Sequence, residues 1–125
     1  MPAAAQPAER LSCLALARID RIANRARALL EVNRPLVNEF IAGRPELAGG
    51  LVDAGTVSFP RLARGDVEVF SNLARARQTA VVPGSFFEAP QHFRIGFGCS
   101  TEILRGGLER LGAALDELKG ESCSC

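Results

Sequence analysis

The chain has 125 residues, enough for one domain with a modest core. It is 47% hydrophobic and 23% charged, a balance that predicts a globular protein rather than a disordered one. A formal net charge of +1 argues against a polyanionic partner such as nucleic acid.

Fourteen of the fifteen cationic residues are Arg, and the only Lys is Lys119. There is no Trp and no Tyr, so aromatic stacking surfaces are limited to seven Phe and the single His92. No apolar run approaches the ~20 residues of a membrane span. The start of the chain lacks the basic residues of a secretory signal, and a cytoplasmic location is expected. Cys13, Cys99, Cys123 and Cys125 form no metal-binding spacing, so no metal site is expected. Cys123-Ser124-Cys125 reads as a frayed tail with two free thiols, with metal binding or oxidation as the alternative.

In chain order, residues 1–10 are Ala/Pro-rich and read as a disordered tail. From Leu11 to Ala42 the apolar residues Ile19, Ile22, Ala26, Leu29, Leu30, Val37, Phe40 and Ile41 recur at helical steps. Pro35 is expected to kink or divide this helix near Asn33 and Arg34. At ~1.5 Å per residue the segment would be about 45 Å long, long for a globule of this size. Gly43-Arg44-Pro45 ends it.

Gly55 to Pro60 reads as a short strand, with Val57 and Phe59 inward and Thr56 and Ser58 outward. Asp66 is a candidate N-cap for a helix from Val67 to about Arg77, burying Phe70, Leu73 and Ala74. Ala80-Val81-Val82 is a second strand, stopped by Pro83-Gly84. Ser85 to Gln91 is a loop. Phe93 to Gly98 alternates strictly, with Phe93, Ile95 and Phe97 on one face and Arg94, Gly96 and Gly98 on the other. Ser100 then caps a helix carrying Leu104, Leu108, Leu111, Leu115 and Leu118, in which Gly106-Gly107 would allow close packing on the sheet, and Gly120 ends it. The order describes an α+β fold: a long N-terminal helix, then a small sheet of about three strands with helices on one face.

The Phe93–Gly98 strand is where chemistry is expected. Its apolar face must be covered by protein. Its other face holds one guanidinium over backbone cleared of side chains, an arrangement suited to gripping a carboxylate or phosphate. The plain alternative is an edge-strand Arg pointing into solvent.

The run Val81-Val82-Pro83-Gly84-Ser85-Phe86-Phe87, followed by His92-Phe93-Arg94-Ile95-Gly96-Phe97-Gly98 and a Leu-rich final helix, resembles the C-terminal small domain of class I/II, fold type I, pyridoxal-phosphate-dependent aminotransferases. Upstream, the stretch from Arg25 to Phe40 is similar to that family's long interdomain helix, and Val57-Ser58-Phe59-Pro60 to its first small-domain strand. The resemblance implies residues 11–42 as interdomain helix, 43–119 as small domain and 120–125 as a tail. It implies Arg94 as the residue that binds the α-carboxylate of an amino-acid or 2-oxo-acid substrate. Ser85 and Phe87 fall on a loop that in the family lies near the substrate; a loop-forming Ser and a core Phe are the alternative.

Glu88 stands where the family often has Gly, so substrate preference does not carry over. The family works by a Schiff base between a Lys and the cofactor, usually as a homodimer. Lys119, at the end of the last helix, does not match that position, so no catalytic or cofactor-binding residue is expected in this chain. The resemblance thus implies a piece of an aminotransferase that is not catalytic alone. The alternatives are a stand-alone, non-catalytic module that binds a partner chain or a small carboxylate, and half of a split enzyme completed by a separate chain.

Overall fold

The computed structural model describes residues 5–122, so Cys123, Cys125 and the first four residues lie outside the described part. In chain order the elements are α1 (Gln6–Ala17), α2 (Ile19–Ala42), β1 (Leu47–Ala48), β2 (Val57–Ser58), β3 (Arg61–Leu62), α3 (Val67–Ala76), β4 (Val82–Pro83), β5 (Phe93–Gly96) and α4 (Thr101–Ser122). The fold is α+β with helix at its N-terminus. A three-stranded antiparallel sheet has the order β2-β5-β4, and a separate two-stranded pair joins β1 to β3.

The helical N-terminus differs from expectation in three ways. Helix begins at Gln6, inside the stretch read as a tail, because Pro7 in the first turn has its φ already set and Ala8, Glu9, Arg10 and Leu11 are all good helix formers. The break falls at Arg18 (φ −124°, ψ 26°), where the Arg18 N–H turns back to Ala15 O. Pro35, in contrast, lies inside unbroken α2. Proline removes only one ladder bond, and side chains on both flanks of Pro35 anchor the helix elsewhere. Asn33 is bonded to the end of the sheet, and Asn38 exchanges two bonds with Val52 (Nδ2 to O 2.8 Å, N to Oδ1 2.9 Å). The helix ends at Ala42, as the Gly43-Arg44-Pro45 run predicts.

The core gathers Val37 and Ile41 from α2, Val67, Phe70 and Ala74 from α3, Phe93 and Ile95 from the central strand, and Phe97 directly after it. The leucines 104, 108, 111, 115 and 118 of α4 complete it. Phe70 meets Phe93 with ring centroids 4.8 Å apart. Asp66 caps α3 as expected, its carboxylate accepting the Glu68 N–H at 2.7 Å. Leu73 is only partly buried.

The two flanking strands are shorter or shifted relative to expectation. Val57 is exposed and Ser58 is fully buried, the reverse of the predicted faces. The register explains this. Val57 lies opposite Gly96 and Ser58 opposite Ile95, and residues directly across a ladder share a face. Ser58 tolerates burial because its hydroxyl donates to Gly50 O at 2.5 Å. Pro83 does not stop the second strand but belongs to it, pairing with Phe93. β4 is an edge strand, where a missing N–H is no loss.

In α4, Gly120 does not end the helix, which runs to Ser122. Nor do Gly106 and Gly107 serve close packing. A Cβ at Gly107 would meet nothing within 4 Å, and one at Gly106 would meet only the end of the Arg110 side chain. The glycine that permits close approach is Gly112, where a Cβ would press on the Arg44 guanidinium and lie 3.7 Å from the Phe40 ring. Arg44 is held there by Asp116 at 2.6 Å. Gly107→Ala is therefore expected to raise the stability of the chain by about 1 kcal/mol, the helix-propensity difference, in a urea denaturation series. Gly112→Ala is expected to gain less than Gly107→Ala, because its Cβ would first have to displace the end of the Arg44 side chain.

Candidate functional site

The open face of the three-stranded sheet is built around β5. The strand is hydrogen-bonded on both sides, and its burial alternates as expected. Phe93, Ile95 and Phe97 are buried, while Arg94, Gly96 and Gly98 are exposed. Across the ladder, Val82 lies opposite Arg94 and Val57 opposite Gly96. Two valines therefore flank the arginine on its own face, in place of the Thr56 and Ser58 that the sequence suggested.

The Arg94 side chain makes no ion pair and no hydrogen bond among the described residues. Its contact is with an aromatic ring: Cζ lies 5.3 Å from the centroid of Phe87. Phe87 meets Phe59 edge-on at 6.0 Å, and Phe59 stacks on His92 at 5.0 Å. The Gly84–Phe87 turn that carries Phe87 is a single 3-10 turn closed by backbone bonds from Gly84 N to His92 O (2.7 Å) and from Ala89 N to Gly84 O (2.9 Å). Only glycine fits at 84, because a Cβ would lie 2.1 Å from Ala89 O.

The two loop residues singled out with Arg94 part company. Phe87 is 48% exposed, so it is not a core residue, and it sits beneath the Arg94 guanidinium. Ser85 points elsewhere. Its hydroxyl donates to Glu68 Oε1 at 3.0 Å, and it lines a shallow cleft with Gly65, Asp66 and Pro90 at the start of α3.

Asn33 is the residue whose importance went unseen. It is fully buried on α2, and its Nδ2 donates to Phe97 O at 2.9 Å and Cys99 O at 2.8 Å. Its Oδ1 accepts from Thr101 Oγ1 at 2.7 Å. These three bonds tie the long helix to the end of the Arg94 strand and to the start of α4. A polar residue on the apolar stripe of a helix was the one available signal.

No protein-family model matches the chain. A segment of 54 residues is 41% identical to the probable aspartate/prephenate aminotransferase of Aquifex aeolicus, covering 43% of this chain and 14% of that protein. The structure superposes on a pyridoxal-phosphate-dependent aminotransferase from Streptococcus suis with a TM-score of 0.77 and 32% identity, over 84% of this chain and 29% of that one. The chain has the C-terminal small-domain fold of the pyridoxal-phosphate-dependent aminotransferases. An aromatic aminotransferase from Pyrococcus horikoshii shares this fold at a TM-score of 0.68 and 25% identity, over 82% of this chain and 28% of its own. The chain spans less than a third of the length of these aminotransferases.

Pyridoxal phosphate is the cofactor of the intact aminotransferases, and the residues of this small domain do not fit it. The only lysine, Lys119, is 67% exposed and lies 3.8 Å from Glu46 Oε1, a solvated ammonium beside a carboxylate. A Schiff-base amine needs a buried, tuned site. Lys119 also stands with Pro45, Leu62 and Leu115 beside the β1–β3 pair, away from the ring cluster of Arg94. Among the described residues no cluster of His, Cys, Asp and Glu could hold a metal ion. No helix among them is long and apolar enough to cross a membrane.

Proposed function

We propose that this small domain supplies the substrate-carboxylate grip of an aminotransferase, with Arg94 as the gripping residue, and that it does not catalyse by itself. The observation that carries the reading is an unpaired guanidinium on the open face of the central strand, beside a glycine, in an aminotransferase fold. A guanidinium offers two parallel N–H donors that match the two oxygens of a carboxylate. Gly96, on the same face and with open space where a Cβ would stand, lets the ligand approach the backbone. Holding the carboxylate fixes one end of an amino acid or 2-oxo acid, which places the rest of the substrate for reaction by groups outside these residues. The substrates of the whole enzyme are accordingly an amino acid and a 2-oxo acid.

A cytoplasmic homodimer is the form we propose for that enzyme. The exposed free thiol of Cys13 suits a reducing compartment. The exposed apolar residues Leu11, Leu14, Leu16, Ile19 and Ile22 along α1 and the start of α2 suit a chain that is covered by further protein.

The test is to splice residues 5–122 in place of the matching segment of the Streptococcus suis enzyme and measure transamination. Arg94→Ala is expected to lower kcat/KM about 100-fold or more, the effect of removing one member of a charge-assisted pair. Arg94→Lys, which keeps the charge but not the fork, is expected to fall between. An Arg94→Ala chimera as active as its parent would rule the assignment out.

A further inference from the structure

We propose that Phe87 is a positioning residue for Arg94, and that the ring pair Phe59–His92 sets Phe87 in turn. This inference rests on Arg94 being the carboxylate grip.

The geometry makes a short relay. The Arg94 Cζ stands 5.3 Å from the Phe87 centroid, Phe87 meets Phe59 at an interplanar angle of 89°, and Phe59 lies over His92 at 22°. Each member is fixed by backbone. His92 N donates to Ala89 O at 2.9 Å, His92 O accepts from Gly84, and Phe59 lies between paired Ser58 and buried Pro60. Two adjacent phenylalanines in the turn provide an internal contrast. Phe86 is 76% exposed and makes no ring contact among the described residues, whereas Phe87 takes both the ring contact and the cation.

An exposed Phe87 contributes little to the core, so the packing of the domain does not account for its placement. The chemistry of the guanidinium does. A ring takes up the flat face of the ion and leaves its N–H edge free for a carboxylate in the plane. Arg94 has no carboxylate partner of its own to fix its side chain, so the ring restricts it beforehand. Part of the ordering loss that binding would incur is then already met.

The test is proton–nitrogen NMR of the 125-residue chain, reading the Arg94 Nε–Hε signal, assigned by its disappearance in Arg94→Ala. In the wild type this signal is expected upfield of the other arginines because of the Phe87 ring current. Phe87→Leu is expected to return it to the position of a solvated arginine, with the backbone spectrum otherwise kept. Phe87→Tyr is expected to retain the upfield position. In an acetate titration, Phe87→Leu is expected to need about two- to fivefold more acetate for the same Arg94 shift, with Phe87→Tyr like the wild type.

An unshifted Arg94 signal in the wild type, or a Phe87→Leu variant unchanged in both position and titration, would overturn the proposal. If the ring shift behaves as expected but acetate moves no Arg94 signal, the carboxylate reading fails while the placement of Arg94 by Phe87 stands.

Discussion

Replacing Asn33 with Leu is expected to cost the chain about 3 kcal/mol, although the two side chains have the same number of heavy atoms and the same branching. The residue is completely buried and makes three hydrogen bonds, to Phe97 O, Cys99 O and Thr101 Oγ1. Leucine would leave those three groups without a partner. Each buried polar group left unsatisfied costs ~1–3 kcal/mol. The Phe97 carbonyl belongs to a fully buried residue and should stand near the upper end of that range. Cys99 and Thr101 are partly exposed, so water can replace some of what they lose. Chemical denaturation of the two proteins measures the difference directly. A loss below ~1 kcal/mol would mean that water reaches all three groups and that Asn33 is not the tie between α2 and the Arg94 strand.

The second large effect separates the two faces of β5. Phe97 is fully buried and its N–H is bonded to Thr56 O at 2.9 Å. Phe97→Ala removes a ring from the middle of the core and leaves a cavity, at a cost of ~3–5 kcal/mol. Arg94 is three residues earlier and on the opposite face. Its loss forfeits only an exposed cation–ring contact, so Arg94→Ala is expected to cost less than ~1 kcal/mol. The ratio matters more than either value, because small domains have only ~5–15 kcal/mol of total stability. Phe97→Ala should lower the denaturation midpoint sharply, and Arg94→Ala should leave it nearly in place. Equal losses would mean that the face carrying Arg94 is part of the core and not a binding surface.

Much of the candidate site was legible because it depends on local periodicity. The alternation from Phe93 to Gly98 settles which side chains face the core before any partner strand is known, and Arg94 follows from it. The leucines of α4 were readable for the same reason. What the sequence hid depends on partners far away in the chain. Ser58 looked like a surface residue because nothing local announces that Gly50 O will receive its hydroxyl. Val57 looked like a core residue because the register that sets it opposite Gly96 is fixed by β5, nearly forty residues later. Pro35 looked like a helix breaker, yet the bonds of Asn33 and Asn38 hold the helix on both sides of it. Arg18 carries no breaker at all, so the interruption there had no local signal. Phe87 could be placed on the right loop, but its contact with Arg94 depends on the turn that Gly84 permits.

The outer helices have a calorimetric consequence. No residue of α1 is buried, and the buried residues of α2 are Asn33, Val37 and Ile41, all in its second half. Melting the first half of this arm therefore exposes little apolar surface that water does not already touch. Heat capacity of unfolding follows newly wetted apolar area, not chain length. The isolated chain should thus show a smaller heat-capacity step than its 125 residues would suggest, as though a shorter protein had unfolded. The shortfall marks the surface that a neighbouring body would have to dry.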